Sequence, residues 1–318
     1  MAGRRSDDAG FRLWTGLFAA LVVCLVVGIG FELWRHSLLP IERFGWRFWT
    51  ETDWDPVQES FGALPFIWGT LYSSILALVI ATPIALGIAI FIVETAPQTL
   101  SQPLSFLTDL LASIPSIVYG LWGIFVLVPF VRWVETAVAA TPLARLPIFK
   151  GPPFGIGMLA AGLILAIMVI PFISSVAREI LKAVPLTQRE AAYALGATRW
   201  ETILVALRYG RTGIIGAVLL GFGRAFGETM AVTMLIGNNP QVSLSLFAPQ
   251  HTMAAVIANE FTEAAGDVYL GALFEIGLVL FIITLAINVL SRLLIWSMTR
   301  TPARRSTTPS ASPVQEAA

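Results

Sequence analysis

Arg224 and Glu228 carry opposite charges four residues apart, inside a run (213–237) that is otherwise rich in glycine and apolar residues. If that run is helical, the spacing puts both side chains on one face. At bilayer depth a charged side chain costs at least about 2.5–3.5 kcal/mol by insertion scales, so such a residue normally faces a cavity or a partner. Arginine keeps its charge and presents a planar fork of donors suited to the oxygens of phosphate and similar oxyanions. Glu228 can neutralise Arg224 when no anion is bound. The same two residues could equally be a structural ion pair that locks this chain to another subunit. Gly223 and Gly227 stand beside them in the G-x-x-x-G spacing that lets a second helix come close. Glu275 is a further acid in an apolar run, with no evident partner.

A second constellation lies in the polar stretch 178–211. Pro185 can open a helix. Glu190, Ala191 and Ala192 follow, and with Leu195 the two alanines form an apolar face. Gly196 is a natural break between two short helices. Beyond it Trp200, Ile203, Leu204 and Leu207 fall at i, i+3, i+4 and i+7, while Arg199 and Glu201 point elsewhere. The pattern predicts a helix–turn–helix elbow with one apolar and one charged side. Such an elbow can dock onto a separate protein or lie on lipid headgroups.

The elements that must position these residues follow from composition. The 318 residues are 56% hydrophobic and only 13% charged, against about 25% charged in a soluble domain. The mean hydropathy is +0.78. The fold class is therefore an all-α integral membrane protein. Six runs reach the roughly 20 apolar residues needed to cross a bilayer: 13–33, 66–93, 107–131, 154–177, 213–237 and 269–296. The first is too long for a signal-peptide core and reads as an anchor. Residues 1–65 form an N-terminal unit, 66–298 the membrane core, and 299–318, rich in Ser, Thr, Pro and Ala, a disordered tail. Pro83, Pro115, Pro129 and Pro171 interrupt the spans as packing kinks or gating points. Phe44, Trp46, Phe48, Trp49 and Trp54 suit an interfacial aromatic belt.

Lys and Arg outside the spans set the orientation. Arg4, Arg5, Arg12, Arg178, Lys182, Arg189, Arg199, Arg208, Arg211, Arg292, Arg300, Arg304 and Arg305 fall on one side. Arg35, Arg43, Arg47, Arg132, Arg145 and Lys150 fall on the other. The richer side, with both termini and the elbow, is expected in the cytoplasm; the turn between Glu94 and Asp109 carries no vote. Net charge is zero, and no basic stripe suggests a nucleic acid partner. Cys24 stands alone, which excludes an intramolecular disulfide or a cysteine metal cluster. His36 and His251, each isolated in a polar segment, are expected to be ordinary surface histidines. No cofactor motif is visible.

The string Glu190-Ala191-Ala192-Tyr193-Ala194-Leu195-Gly196-Ala197-Thr198 resembles the cytoplasmic loop of binding-protein-dependent ABC permeases. In that pattern a Leu-Pro follows; here Leu207-Arg208 stands in its place, which bears on how sharply the second short helix ends. Two further stretches, from Ser113-Ile114-Pro115-Ser116 to Gly123 and from Gly221 to Thr233, are similar to the permeases of phosphate-specific ABC transporters. Trp46 to Pro65 and Ala258-Asn259-Glu260-Phe261 look like one of the two sister permeases of those systems more than the other. The resemblance runs from about residue 40 to about 297. It implies a type I ABC importer permease (MetI-like) fold with six spans in the cell membrane. It also implies a second, PstA-like permease subunit, a PstB-like ATPase dimer gripping the elbow, and a PstS-like external phosphate-binding protein. Glu190, Ala191, Ala192, Gly196, Trp200 and Leu207 would then form the ATPase coupling loop, and Arg224 and Glu228 would line the phosphate path. The charge pair by itself suits any oxyanion; only the resemblance selects phosphate over sulfate or molybdate. No Walker motif, H-E-x-x-H or nucleophile–histidine pair is present, so the chain reads as a permease rather than an enzyme and ATP hydrolysis is assigned to another subunit. A secondary transporter would need no docking elbow and often carries inverted repeats, none of which is visible.

Overall fold

A computed structural model describes residues 3–299, with side chains from Gly10 to Met298. The expected tail from residue 300, and the arginines counted there and at positions 4 and 5, lie outside the described side chains. The described residues are mostly helical, with one small hairpin of two-residue strands, β1 (Trp54–Asp55) and β2 (Ser60–Phe61). In chain order the helices are α1 (Gly3–His36), α2 (Leu38–Phe44), α3 (Arg47–Thr50), α4 (Leu64–Ile90), α5 (Gln98–Ala112), α6 (Ser116–Trp122) and α7 (Val128–Ala139). They continue with α8 (Met158–Lys182), α9 (Leu186–Ala194), α10 (Arg199–Tyr209), α11 (Arg211–Phe226), α12 (Met230–Leu235), α13 (Met253–Glu260) and α14 (Asp267–Thr299).

The centre of the bundle is α4 against α8, with α11 packed across both. Ala77, Ala81, Ala85 and Ala89 recur every fourth residue on α4 and are completely buried. Between apolar helices in lipid, close packing of small side chains replaces the hydrophobic drive that water would supply. The alanine stripe admits Met158, Leu165, Val169 and Ile173 from α8 into the same core. α1 is almost wholly exposed along its apolar length and touches the bundle along α14, where Gly30 meets the ring of Phe281. That exposure suits lipid rather than water as its surroundings.

Among the described residues, five stretches are long and apolar enough to cross a membrane: Gly10–His36, Leu64–Thr95, Ser116–Ala139, Met158–Lys182 and Asp267–Met298. A sixth exists if the bent pair α10 and α11 counts as one broken span. Two expected spans are corrected. Residues 107–131 are not one helix, because Pro115 lacks an amide hydrogen and disfavours helical backbone at Ile114. α5 therefore stops at Ala112, and the crossing segment begins at Ser116. The stretch between Glu94 and Asp109 is accordingly not a turn but most of α5. Residues 213–237 are not one helix either: α11 ends at Phe226 and α12 restarts at Met230.

The expected aromatic belt is also revised. Phe48, Phe61 and Phe66 are buried beneath α13 and α14 with Met253, Leu273 and Ile276. Trp54 stacks edge-on against Phe61 and Phe66 and donates its ring N–H to Glu260 at 2.9 Å. Of these aromatics, Trp46 alone is almost fully exposed. The segment 37–63 is thus a small folded cap on the bundle.

Candidate functional site

The elbow forms as its sequence requires. α9 begins after Pro185, α10 after Thr198, and Gly196 between them holds φ +83°, a left-handed conformation that costs a glycine little and a β-branched residue much. Thr198 caps α10 in a reciprocal box: its hydroxyl accepts from the Glu201 amide while Glu201 accepts from the Thr198 amide at 2.7 Å. The second helix ends sharply without the missing proline. The Gly210 amide closes on the Ala206 carbonyl at 2.9 Å, and the chain turns by 70° into α11. Ala192 and Ile203 face inward; Leu186, Tyr193, Leu195 and Trp200 are exposed. Leu195, expected on the apolar face with the alanines, is instead at the open tip, 89% exposed. Ala191 and Glu190 are exposed as well, and Leu207 is half-buried against Leu181 and Ala206.

Arg189 and Arg199 prove to be the elbow's fastenings, and Arg178 fastens α8 to α5. Arg189 on α9 reaches Glu94, in the π-helical turn (Phe91–Thr95) that ends the α4 span, at 2.7 Å. Its remaining donors go to the Leu181 and Val184 carbonyls, both at 2.8 Å. Arg199 on α10 donates to the backbone carbonyl of the same Glu94 at 2.6 Å. Arg178, buried on α8, donates to both carboxylate oxygens of Asp109 on α5 (3.0 and 3.1 Å) and to the Thr108 hydroxyl at 3.0 Å. Nothing local in sequence announces these pairs; Glu94 and Arg189 are 95 residues apart.

Arg224 and Glu228 stand in a different setting. The expected common helix face is absent, since α11 ends between them and Gly227 leaves the helix. The closest approach of their charged groups is 3.9 Å, an ion pair without a hydrogen bond. Arg224 lies 4.9 Å over the ring of Phe172 on α8 and remains 39% exposed, whereas the Glu228 side chain is 6% exposed. Among the described residues, Arg224 donates no hydrogen bond. An arginine held by a ring face and a stretched ion pair keeps its fork of donors free. Gly223 has nothing within 4 Å of where a side chain would begin, and Gly227 has only the Gly223 carbonyl. Among the described residues, no helix of this chain packs on that face. The close approach of α11 to α8 occurs two residues before Gly223, at Gly221, where a Cβ would lie 2.6 Å from Ile173.

The two motif stretches meet. Gly120 and Gly123, from the first, pack on α12, from the second: a Cβ at Gly120 would lie 2.5 Å from the Met234 sulfur, and one at Gly123 2.8 Å from Leu235. The helix breaks at Pro115 and Gly227 thus belong to neighbouring segments. In membrane proteins, non-helical backbone at depth is tolerated where protein buries it or a cavity solvates it.

Two buried groups were missed or misjudged. Glu135 on α7 is fully buried and accepts from the Gly155 amide at 2.7 Å, pinning the loop before α8. His251 is not a surface residue: it is 2% exposed, edge-on to Phe66, and its Nδ1 accepts from the Thr252 amide. Burial pushes its pKa down to about 4, so the ring is neutral near pH 7. His36 is half-exposed as expected, bonded to Glu32 at 3.1 Å and stacked on Phe274. Glu275 is buried with one oxygen unpartnered among the described residues.

The family model for binding-protein-dependent transport system inner membrane components matches residues 81–300. The chain is 48% identical to the phosphate transport system permease protein PstC of Haemophilus influenzae, over 92% of this chain and 95% of that one. It is 46% identical to the PstC of Mesorhizobium japonicum, over 90% and 89%. A probable PstC of Methanocaldococcus jannaschii is 36% identical over 90% and 92%. In fold, the chain is similar to the inward-facing MetNI methionine ABC transporter, with a TM-score of 0.56 at 18% identity, covering 74% of this chain and 95% of that one. That likeness establishes the MetI-like architecture and nothing finer. The chain belongs to the binding-protein-dependent transport system inner membrane component family, among the PstC-type permeases, and is a membrane transport subunit rather than an enzyme.

Proposed function

We propose that this chain is one permease subunit of an ATP-driven importer of inorganic phosphate, and that Arg224 contacts the anion during transit. One observation carries the site assignment: Arg224 is a permanent cation next to a helix break, with its hydrogen-bonding fork unused. A structural arginine at that depth would be expected to have its donors satisfied, because leaving them bare in a low-dielectric setting is costly. The Phe172 ring and Glu228 act as a resting cradle that a phosphate oxygen can replace. The names of the relatives support phosphate over other oxyanions.

The remaining parts of the importer lie on other chains. Gly223 and Gly227 offer an open face to a second, PstA-like permease. The exposed tip from Tyr193 to Trp200 suits a groove in a PstB-like ATPase dimer, and Glu190, Ala191, Ala192, Gly196 and Leu207 shape that elbow. A PstS-like protein delivers phosphate at the opposite face. Residues 66–298 form the transport core. The Lys/Arg asymmetry supports cytoplasmic termini and a cytoplasmic elbow.

The test is uptake of labelled phosphate by cells in which this permease, with its partner subunits, is the only phosphate system. Uptake that excess sulfate or molybdate does not compete away is the expected result. Uptake of sulfate in preference to phosphate would refute the substrate assignment. In the same cells, reporter fusions after residues 150 and 250 should read as external, and fusions after residue 200 as internal.

A further inference from the structure

The elbow grips one residue of the α4 span from both of its halves. Arg189, on the first short helix, bonds the Glu94 carboxylate through Nε at 3.2 Å and Nη2 at 2.7 Å. Arg199, on the second, bonds the Glu94 backbone carbonyl. The span ends at Thr95, so the carbonyls of Glu94 and Thr95 have no partner along the helix and are left for Arg199. The Glu94 and Arg189 side chains are only 12% and 15% exposed. A desolvated pair of this kind is expensive to separate, so its two helices move together or not at all.

The other end of the same span is fastened just as specifically. The Trp68 ring N–H donates to the Ser243 carbonyl at 3.0 Å, and the Tyr72 hydroxyl to the Leu244 carbonyl at 2.9 Å. The Thr70 hydroxyl accepts from the Met253 amide at 3.0 Å. Gly69 lies directly against the His251 backbone. One continuous helical segment of 32 residues, about 1.5 Å per residue, therefore joins the elbow on one face to the loop 238–252 on the other.

We infer that Glu94 is the positioning residue through which movement of the elbow reaches the opposite face, with α4 as the rod and Arg189 and Arg199 as its clasp. The inference rests on the coupling role proposed for the elbow. Breaking the clasp leaves the exposed docking tip intact, so the ATPase stays attached and keeps hydrolysing ATP while its closure no longer moves α4.

The experiment uses the complete transporter reconstituted in liposomes, with ATP hydrolysis, phosphate import and ATPase co-purification measured together. Glu94→Gln and Arg189→Gln are each expected to retain the ATPase, to hydrolyse ATP within about twofold of the parent, and to import at least tenfold less phosphate per ATP. The double variant should be no worse than the worse single one, since the two residues act through each other. Normal import per ATP in both single variants, or losses that multiply in the double, would overturn the clasp. If Glu94→Gln fails to assemble, Glu94→Asp keeps the charge and shortens the reach; an intermediate ratio supports the clasp and an unchanged ratio overturns it. Leu195→Asp, at the exposed tip, tests the underlying coupling role separately. Loss of the ATPase from that variant supports docking there, whereas full retention with normal uptake removes the docking premise, and the clasp with it.

Discussion

The elbow and the break in the fifth span use the same ingredients, arginine and glutamate, in opposite ways. At the elbow, Arg189 and Arg199 direct their donors to Glu94 and to backbone carbonyls. At the break, Arg224 faces an aromatic ring and a carboxylate 3.9 Å away, and its donors have no hydrogen-bonded partner among the described residues. The first arrangement is closed: each charge is satisfied by the chain itself, as expected of a part that must be stiff. The second is open, as expected of a part that must accept something and release it. Arg178, buried with its Nη2 on both carboxylate oxygens of Asp109, is satisfied in the same closed way between α8 and α5.

The largest effect should come from the open pair. Arg224→Gln removes charge and fork together and is expected to reduce labelled-phosphate uptake at least a hundredfold, with the assembled complex still recoverable through the ATPase. Arg224→Lys keeps the charge but not the bidentate geometry, so partial activity is the most it should show. The double exchange Arg224→Glu with Glu228→Arg sharpens the contrast. The cation would move from the last turn of α11 to a buried position beyond the helix end, away from the Phe172 ring. An ion pair that merely holds subunits together tolerates exchange; an arginine on the anion path does not. Full uptake by the exchanged variant would place Arg224 with Arg178 among the structural arginines.

A smaller effect is expected from stiffness lost at the elbow. Gly196 holds φ +83° with open space where a side chain would begin, so the obstacle to Gly196→Val is backbone conformation and not crowding. The variant should insert and assemble, yet the angle between α9 and α10 would change, so that Arg189 and Arg199 could no longer both reach Glu94. Phosphate imported per ATP should fall about tenfold, less than the loss at Arg224. Normal coupling in a well-assembled Gly196→Val transporter would show that the elbow need not be rigid, and would weaken the comparison from its closed side.

Much of this organisation is legible from residue types alone. The Gly196 break and four of the apolar runs are local patterns that the fold respects, whereas two runs are interrupted and Trp200, on the i, i+3, i+4, i+7 face of α10, is exposed. What is not legible has specific causes. Pro115 reads as one kink among four, yet with Ser113 and Ile114 it ends a helix outright, because the chain needs α5 to leave the core and meet Arg178. Gly227 sits in a run whose hydropathy gives no sign of interruption; the break depends on how α12 packs on Gly120 and Gly123 from a distant segment. Trp54 would look the same in sequence in an interfacial belt as in a folded cap, and its bond to Glu260, about 200 residues away, decides between them. His251 looks solitary because the residues that bury it, Phe66 and Gly69, lie far off in sequence. The Glu94–Arg189 bond is of the same long-range kind.

The smallest expected effect tests whether the elbow is stiff because it is folded or only because it is fastened. α10 begins with a complete capping box, whereas α11 begins at Gly210 with no side-chain cap. A lost Thr cap costs about 1 kcal/mol, felt within the first turn of its helix. Thr198→Ala removes the hydroxyl that accepts from the Glu201 amide but leaves Arg199, one residue on, bonded to Glu94. If the fastenings dominate, hydrogen exchange should quicken only for the first amides of α10, several-fold, and phosphate imported per ATP should fall less than twofold. If instead the elbow depends on its own helix ends, the whole of α9 and α10 should exchange faster and coupling should approach the Gly196→Val value. The first outcome is expected: a cap contributes about as much as one ordinary net hydrogen bond, whereas the buried Arg189 pair is held on three elements at once. A Thr198→Ala elbow that lost its coupling would move the source of stiffness from the clasp to the turn.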